Sequence, residues 1–117
     1  MALRPLSPSE LAETPTLFAS FMGAGGSDYQ TLGQLRAIFR ERAGTLATAD
    51  DRDDDLRVLR FAEDMASERW TDELVMRIGV FDDTVLLIDG IHRGIAYLTC
   101  IEDGISRDRL PPLHLDC

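Results

Sequence analysis

The chain has 117 residues, is 44% hydrophobic and carries a net charge of −9 with a pI near 4.5, enough for one domain whose core needs no disulfide or metal staple. That charge repels a polyanionic backbone, so DNA and RNA are poor direct partners. All twelve basic residues are arginine, which excludes a Schiff-base lysine, a P-loop lysine and a Ser-Lys dyad. The sequence has no apolar run of about eighteen residues and no basic-then-apolar start, so it reads as a cytoplasmic protein with neither membrane span nor signal peptide. Cys100 and Cys117 fit reduced thiols and make no metal-ligand pattern.

Residues 2–6 read as a short first strand. Ser7-Pro8-Ser9-Glu10 then reads as a helix start, with Ser7 as N-cap, Pro8 at the first helical position and Glu10 closing a capping box. After Thr14-Pro15 the residues Leu17, Phe18, Phe21 and Met22 suggest a restarted or kinked helix, and Gly23-Ala24-Gly25-Gly26-Ser27 a flexible connection. Leu32, Leu35, Ile38, Phe39 and Arg42 repeat at helical spacing, with Gly44 as the stop. The acidic run over residues 50–55 lacks the glycine and terminal glutamate of a calcium loop. It reads instead as a set of charges favouring the positive end of a helix over residues 56–70, whose buried stripe is Leu56, Leu59, Ala62, Met65, Ala66 and Trp70.

Beyond Trp70 the period changes to two. Leu74, Met76, Ile78 and Val80 alternate with Val75, Arg77 and Gly79, the pattern of a strand with one face on a core. Asp82-Asp83 turns this strand back into a second one over residues 84–88 as a hairpin. A helix to about Glu102 stops near Gly104, and a polar loop leads through Pro111-Pro112 to a last strand over residues 113–116, in which His114 points opposite to Leu113 and Leu115. Tyr97 and Cys100 read as core or helix-surface positions.

The segment with most chemical content is Asp89-Gly90-Ile91-His92-Arg93, between the apolar strand and that helix. A helix entered through a glycine leaves its first backbone N–H groups without partners, and here a histidine and an arginine sit beside them. Arg93 offers a planar fork suited to phosphate oxygens, and His92 a second donor toward the same point. Gly90 allows a backbone shape or close approach that a Cβ would obstruct. Asp89 has two readings. As an N-cap it satisfies the free amides itself; turned away, it is a candidate to hold Mg²⁺ or position an attacking hydroxyl or water.

The order strand, turn, strand, Asp-Gly-x-His-Arg box, apolar helix, loop, strand resembles the ParB/sulfiredoxin-like superfamily. Asp89, Gly90, His92 and Arg93 match its box and Ala96 supplies the small residue a turn later. The resemblance covers roughly residues 56–117 and implies an α+β fold, a small mixed sheet with helices around it, over a single domain 1–117. It implies a site in which Gly90, Ile91, His92 and Arg93 cradle the phosphates of a nucleoside triphosphate, ATP or CTP with Mg²⁺, with Asp89 and His92 as catalytic candidates and Asp89 as the metal ligand. Members of the superfamily use that site as CTP-hydrolysing clamps, as ATP-dependent repair enzymes or as free serine kinases. Ile91 stands where sulfiredoxins carry their working cysteine, and nothing in these residues matches the DNA-binding domain of ParB proteins.

The expected function is therefore nucleotide or phosphate binding, with phosphoryl transfer or hydrolysis as its enzymatic form. The rival is a non-catalytic acidic module that keeps the fold and docks on a protein partner. A homodimer is compatible with either.

Overall fold

In the computed structural model, residues 3–19, 29–42, 49–70, 72–81 and 84–116 are described. Strand β1 (Leu3–Pro5) leads into helix α1 (Pro8–Glu13) through the expected capping box. The Glu10 backbone N–H donates to Ser7 Oγ at 3.2 Å, and the Ser7 backbone N–H donates to Glu10 Oε1 at 3.3 Å. The hydrogen bond from the Ser7 backbone, followed by the Arg4 guanidinium at 3.2 Å, holds the Glu10 carboxyl below its ordinary range.

The expectation of a helix after Thr14 is overturned. Pro15 opens strand β2 (Pro15–Ala19). Proline drives the residue before it into extended backbone, and Thr14 sits at φ −73°, ψ 124° as the C-cap of α1. With no N–H to give, Pro15 takes the first position of a strand, where none is required. Phe21, Met22 and the glycine-rich stretch 23–27 lie outside the described residues.

Strand β3 (Tyr29–Thr31) runs into helix α2 (Leu32–Arg42), whose start is a second capping box. The Gln34 N–H donates to Thr31 Oγ1 at 3.2 Å and the Thr31 N–H donates to Gln34 Oε1 at 2.9 Å. Leu32 and Phe39 are buried, as their spacing predicts, and Leu35 packs against them; Gly44 lies outside the described residues. Helix α3 (Ala49–Ala66) begins earlier than the sequence suggests, so the acidic run forms its first turns, and it ends before Trp70. Of its expected stripe, Ala62, Met65, Ala66 and Trp70 reach the core, but the first two members do not. Leu56 and Leu59 are 54% and 52% exposed, while Val58 and Met65 are buried and Phe61 and Ala62 pack on the core. The chain leaves α3 through Glu68 at φ +62°, and Trp70 returns to set its ring edge-on to Phe61, centroids 5.3 Å apart.

Strands β4 (Leu74–Phe81) and β5 (Thr84–Asp89) form the expected antiparallel hairpin, with Phe81 opposite Thr84; the turn residues lie outside the description. Leu74 and Met76 point into the core and Ile78 packs on it, but Val80 is 69% exposed at the far end of the strand. Helix α4 (Ile91–Glu102) follows, then a single 3-10 turn (Arg107–Arg109) and strand β6 (Leu113–Asp116). Leu113 and Leu115 are buried and His114, on the other face, is partly covered.

The six strands make one mixed sheet in the order β1-β6-β4-β5-β2-β3. β4 is parallel to β6 and β2 parallel to β5, while the β1–β6, β4–β5 and β2–β3 pairs are antiparallel. A shortest dimension of 21 Å matches two layers, since a helix and a sheet each occupy about 10 Å. The fold is thus mixed α+β.

Helix α4 is the hub. Every residue from Gly94 to Cys100 is buried, the signature of a helix covered on all sides, and α1, α2, α3 and β4 all touch it. Gly94 makes one of these approaches possible: a Cβ there would stand 2.6 Å from Leu32 Cδ2. On the α3 side, the Cys100 thiol donates to the Ala62 carbonyl at 3.4 Å, and burial followed by the nearby Asp103 charge pushes its pKa up. No helix among the described residues is long and apolar enough to cross a membrane.

Candidate functional site

The hub helix begins where the hairpin ends. β5 delivers the chain at Asp89, and one residue, Gly90, turns it into α4 with φ +96°, ψ 12°. That is left-handed backbone, which L side chains rarely adopt. A second constraint acts on the same atom: a Cβ on Gly90 would lie 2.7 Å from Met76 Sδ, and Met76 is itself fully buried. Glycine is required here both by the turn and by the core beneath it.

Gly90 is the N-cap, and α4 starts with no side-chain capping hydrogen bond. The first helical bond runs from the Gly94 N–H to the Gly90 carbonyl at 2.7 Å. The amides of Ile91, His92 and Arg93 therefore precede the ladder, and the N-cap glycine has no side chain to cap them. The reading of Asp89 as cap is not met. Its carboxylate accepts from Arg93 Nη2 at 3.5 Å and lies 3.9 Å from Arg77 Nε. Arg77 lies equally far from Asp116 on β6, which ties the end of β5 to the opposite side of β4. The Asp89–Arg93 pair is an exposed i, i+4 contact with side chains 58% and 30% accessible, the kind worth about 0–1 kcal/mol and readily exchanged for a better partner.

These residues border an open hollow of about 290 Å³, lined by Arg57, Phe61, Asp89, Gly90, Ile91, His92 and Arg93. All five residues singled out in the sequence meet there. Arg57 and Phe61 of α3 were not anticipated; they lie four apart and so share one face of that helix. Their only sequence signal is that spacing, and it cannot say which element they face.

In chemical terms the described lining of the hollow offers the start of a buried helix, two guanidinium groups and an imidazole beside the carboxylate of Asp89. That is an anion-binding inventory. For a metal it is poor. Among the described residues no group of three or more His, Cys, Asp or Glu is placed to hold an ion, and Asp89 already faces two arginines. One carboxylate suits Mg²⁺ only when the remaining ligands are water and the phosphates of a bound substrate.

No protein-family model, no curated protein and no solved structure matches this chain.

Proposed function

We propose that the hollow at the start of α4 binds the phosphate groups of a nucleotide, ATP or CTP with Mg²⁺, in a ParB/sulfiredoxin-like domain. The observation that carries the reading is that a helix start on a glycine N-cap lines the same hollow as Arg57, His92 and Arg93, while the Asp89 carboxylate turns to Arg93 and Arg77. A phosphate bound there takes the amides as donors, draws the Arg93 fork away from Asp89, and is approached by Arg57 from the facing helix. Positioning and electrostatic neutralisation are most of what phosphoryl transfer needs. In the enzymatic form of this reading, a kinase or NTPase, His92 and Arg93 neutralise charge developing on the transferred group. Asp89, released from Arg93, is the candidate for Mg²⁺ or for orienting the attacking oxygen.

The second reading, a non-catalytic acidic module that docks on a protein, is favoured by exposed apolar residues on the hairpin: Val80, Val85 and Ile88. Thermal unfolding with ATP, CTP, GTP and their Mg²⁺ complexes separates the two. A bound nucleotide at a hundred times its Kd stabilises the native state by about 2.7 kcal/mol, and His92→Ala/Arg93→Ala should abolish that gain. No gain with any nucleotide, or an undiminished gain in the double variant, transfers the case to the docking module.

A further inference from the structure

Helix α3 packs one apolar face on α4 and the core and leaves a second on its outer side. We infer that this outer face is where two copies of the chain associate, helix against helix and antiparallel. Leu56 and Leu59 are 54% and 52% exposed. They stand three apart and so lie together on one face, whereas Val58 and Met65 are buried beneath the same helix. Scattered exposed leucines are ordinary. Two neighbours on the outside of a helix whose inner face is already covered make a patch, and Arg60 and Glu63, both exposed, border it.

The order of charges along that face selects the occupant. Residues 49–55 of α3 precede Leu56 and residues 60–66 follow Leu59, so the two leucines sit at the middle of the helix. Four positions before Leu56 stands Arg52, and four after Leu59 stands Glu63. Arg52, Leu56, Leu59 and Glu63 thus have the alternating four and three spacing of a coiled-coil seam, and reversing its direction exchanges leucine with leucine and arginine with glutamate. Laid antiparallel about a twofold axis between the leucines, each copy sets Glu63 level with Arg52 of the partner subunit. Asp53 and Arg60, seven apart, hold the same flanking position beside the seam and are again opposite in charge. A parallel pair would set like charges together. The antiparallel register also leaves the hollow at α4 open, because Arg57 and Phe61 lie roughly 100–140° around α3 from Leu56 and face that hollow. Association and ligand binding are therefore independent. One pair of 18-residue helices covers less than the roughly 1,200–2,000 Å² of a stable complex, and two chains of charge −9 repel, so the dimer is weak and forms at high concentration.

Sedimentation equilibrium of the full chain over a rising concentration series tests this. The wild type should pass from monomer to dimer with a Kd of roughly 10 μM to 1 mM. Leu56→Gln/Leu59→Gln keeps good helix formers at two exposed positions; it should unfold at the wild-type temperature in dilute solution and associate at least about tenfold more weakly. Arg52→Glu and Glu63→Arg should each weaken the dimer about three- to tenfold, and the two together should return it to the wild-type Kd, because only the antiparallel register brings these positions together. A wild type still monomeric at roughly 1 mM, a dimer undiminished in Leu56→Gln/Leu59→Gln, or a charge exchange that fails to rescue overturns the α3 pair.

Discussion

Helices α1 and α4 start in opposite ways. The six-residue α1 is closed at its start by the Ser7–Glu10 capping box, whereas the twelve-residue α4 runs through the centre and starts on a bare glycine. A short helix has little packing to hold it and depends on local hydrogen bonds, worth about 1 kcal/mol at an N-cap. A helix buried over seven consecutive positions is held by its neighbours and can start on a glycine with no side-chain cap. The difference separates a start held by its own side chains from one held by the packing around it, the start at which we propose the ligand binds.

The largest effect is expected where the open start is forced to close. Gly90→Ala meets left-handed backbone and the Met76 sulfur at once, and should cost roughly 2–5 kcal/mol in denaturant unfolding, the sum of backbone strain and overpacking. A cost below about 1 kcal/mol would mean that the β5–α4 turn relaxes easily and that the glycine is not demanded by its setting. Gly94→Ala probes the packing that lets α4 do without a cap. Crowding of Leu32 costs about 1–3 kcal/mol and is partly offset by the helix preference of alanine, so a net loss near 1 kcal/mol is expected.

At the closed start, Ser7→Ala should lose about 1 kcal/mol and leave ligand binding at α4 untouched. Asp89→Asn makes the complementary cut. Removing an exposed ion pair should change stability by no more than about 1 kcal/mol, yet it frees Arg93 and should tighten tripolyphosphate binding; weaker binding would show that Asp89 holds Arg93 in its productive place. The smallest effect is one of pH. The Glu10 carboxyl titrates below its unfolded value, so its contribution is fully present above the ordinary carboxylate range and is lost as pH falls through the lowered folded value. Between wild type and Glu10→Gln, the stability difference should shrink over that acid range and stay flat at neutral pH.

Legibility in the sequence followed how local the deciding contacts are. The Ser7 capping box, the β4–β5 hairpin and the Gly90 turn into α4 depend on residues a few positions apart, and each was readable. The first half of the α3 face was not. Leu56 and Leu59 fit a helical stripe as well as Val58 and Phe61 do, and the choice is made by where α4 lies. β2 was misread for a similar reason: Leu17, Phe18, Phe21 and Met22 fit a helical spacing, and the strand is decided instead by pairing with the distant β5, Thr16 opposite Leu87. The candidate site divides the same way. Its β5–α4 half is contiguous in sequence, while Arg57 and Phe61 reach it only through helix packing. The fate of Asp89, drawn off by Arg93 and Arg77, needed three elements in place at once.

The central claim, that the α4 amides are open to an anion, is tested most directly by following backbone amide resonances during titration with Mg²⁺–ATP and with tripolyphosphate. The account predicts saturable shifts that begin with Ile91, His92 and Arg93 and extend to Arg57 and Phe61 with ATP. Resonances of Ile91 to Arg93 that stay fixed at saturating ligand, whatever else moves, would contradict it.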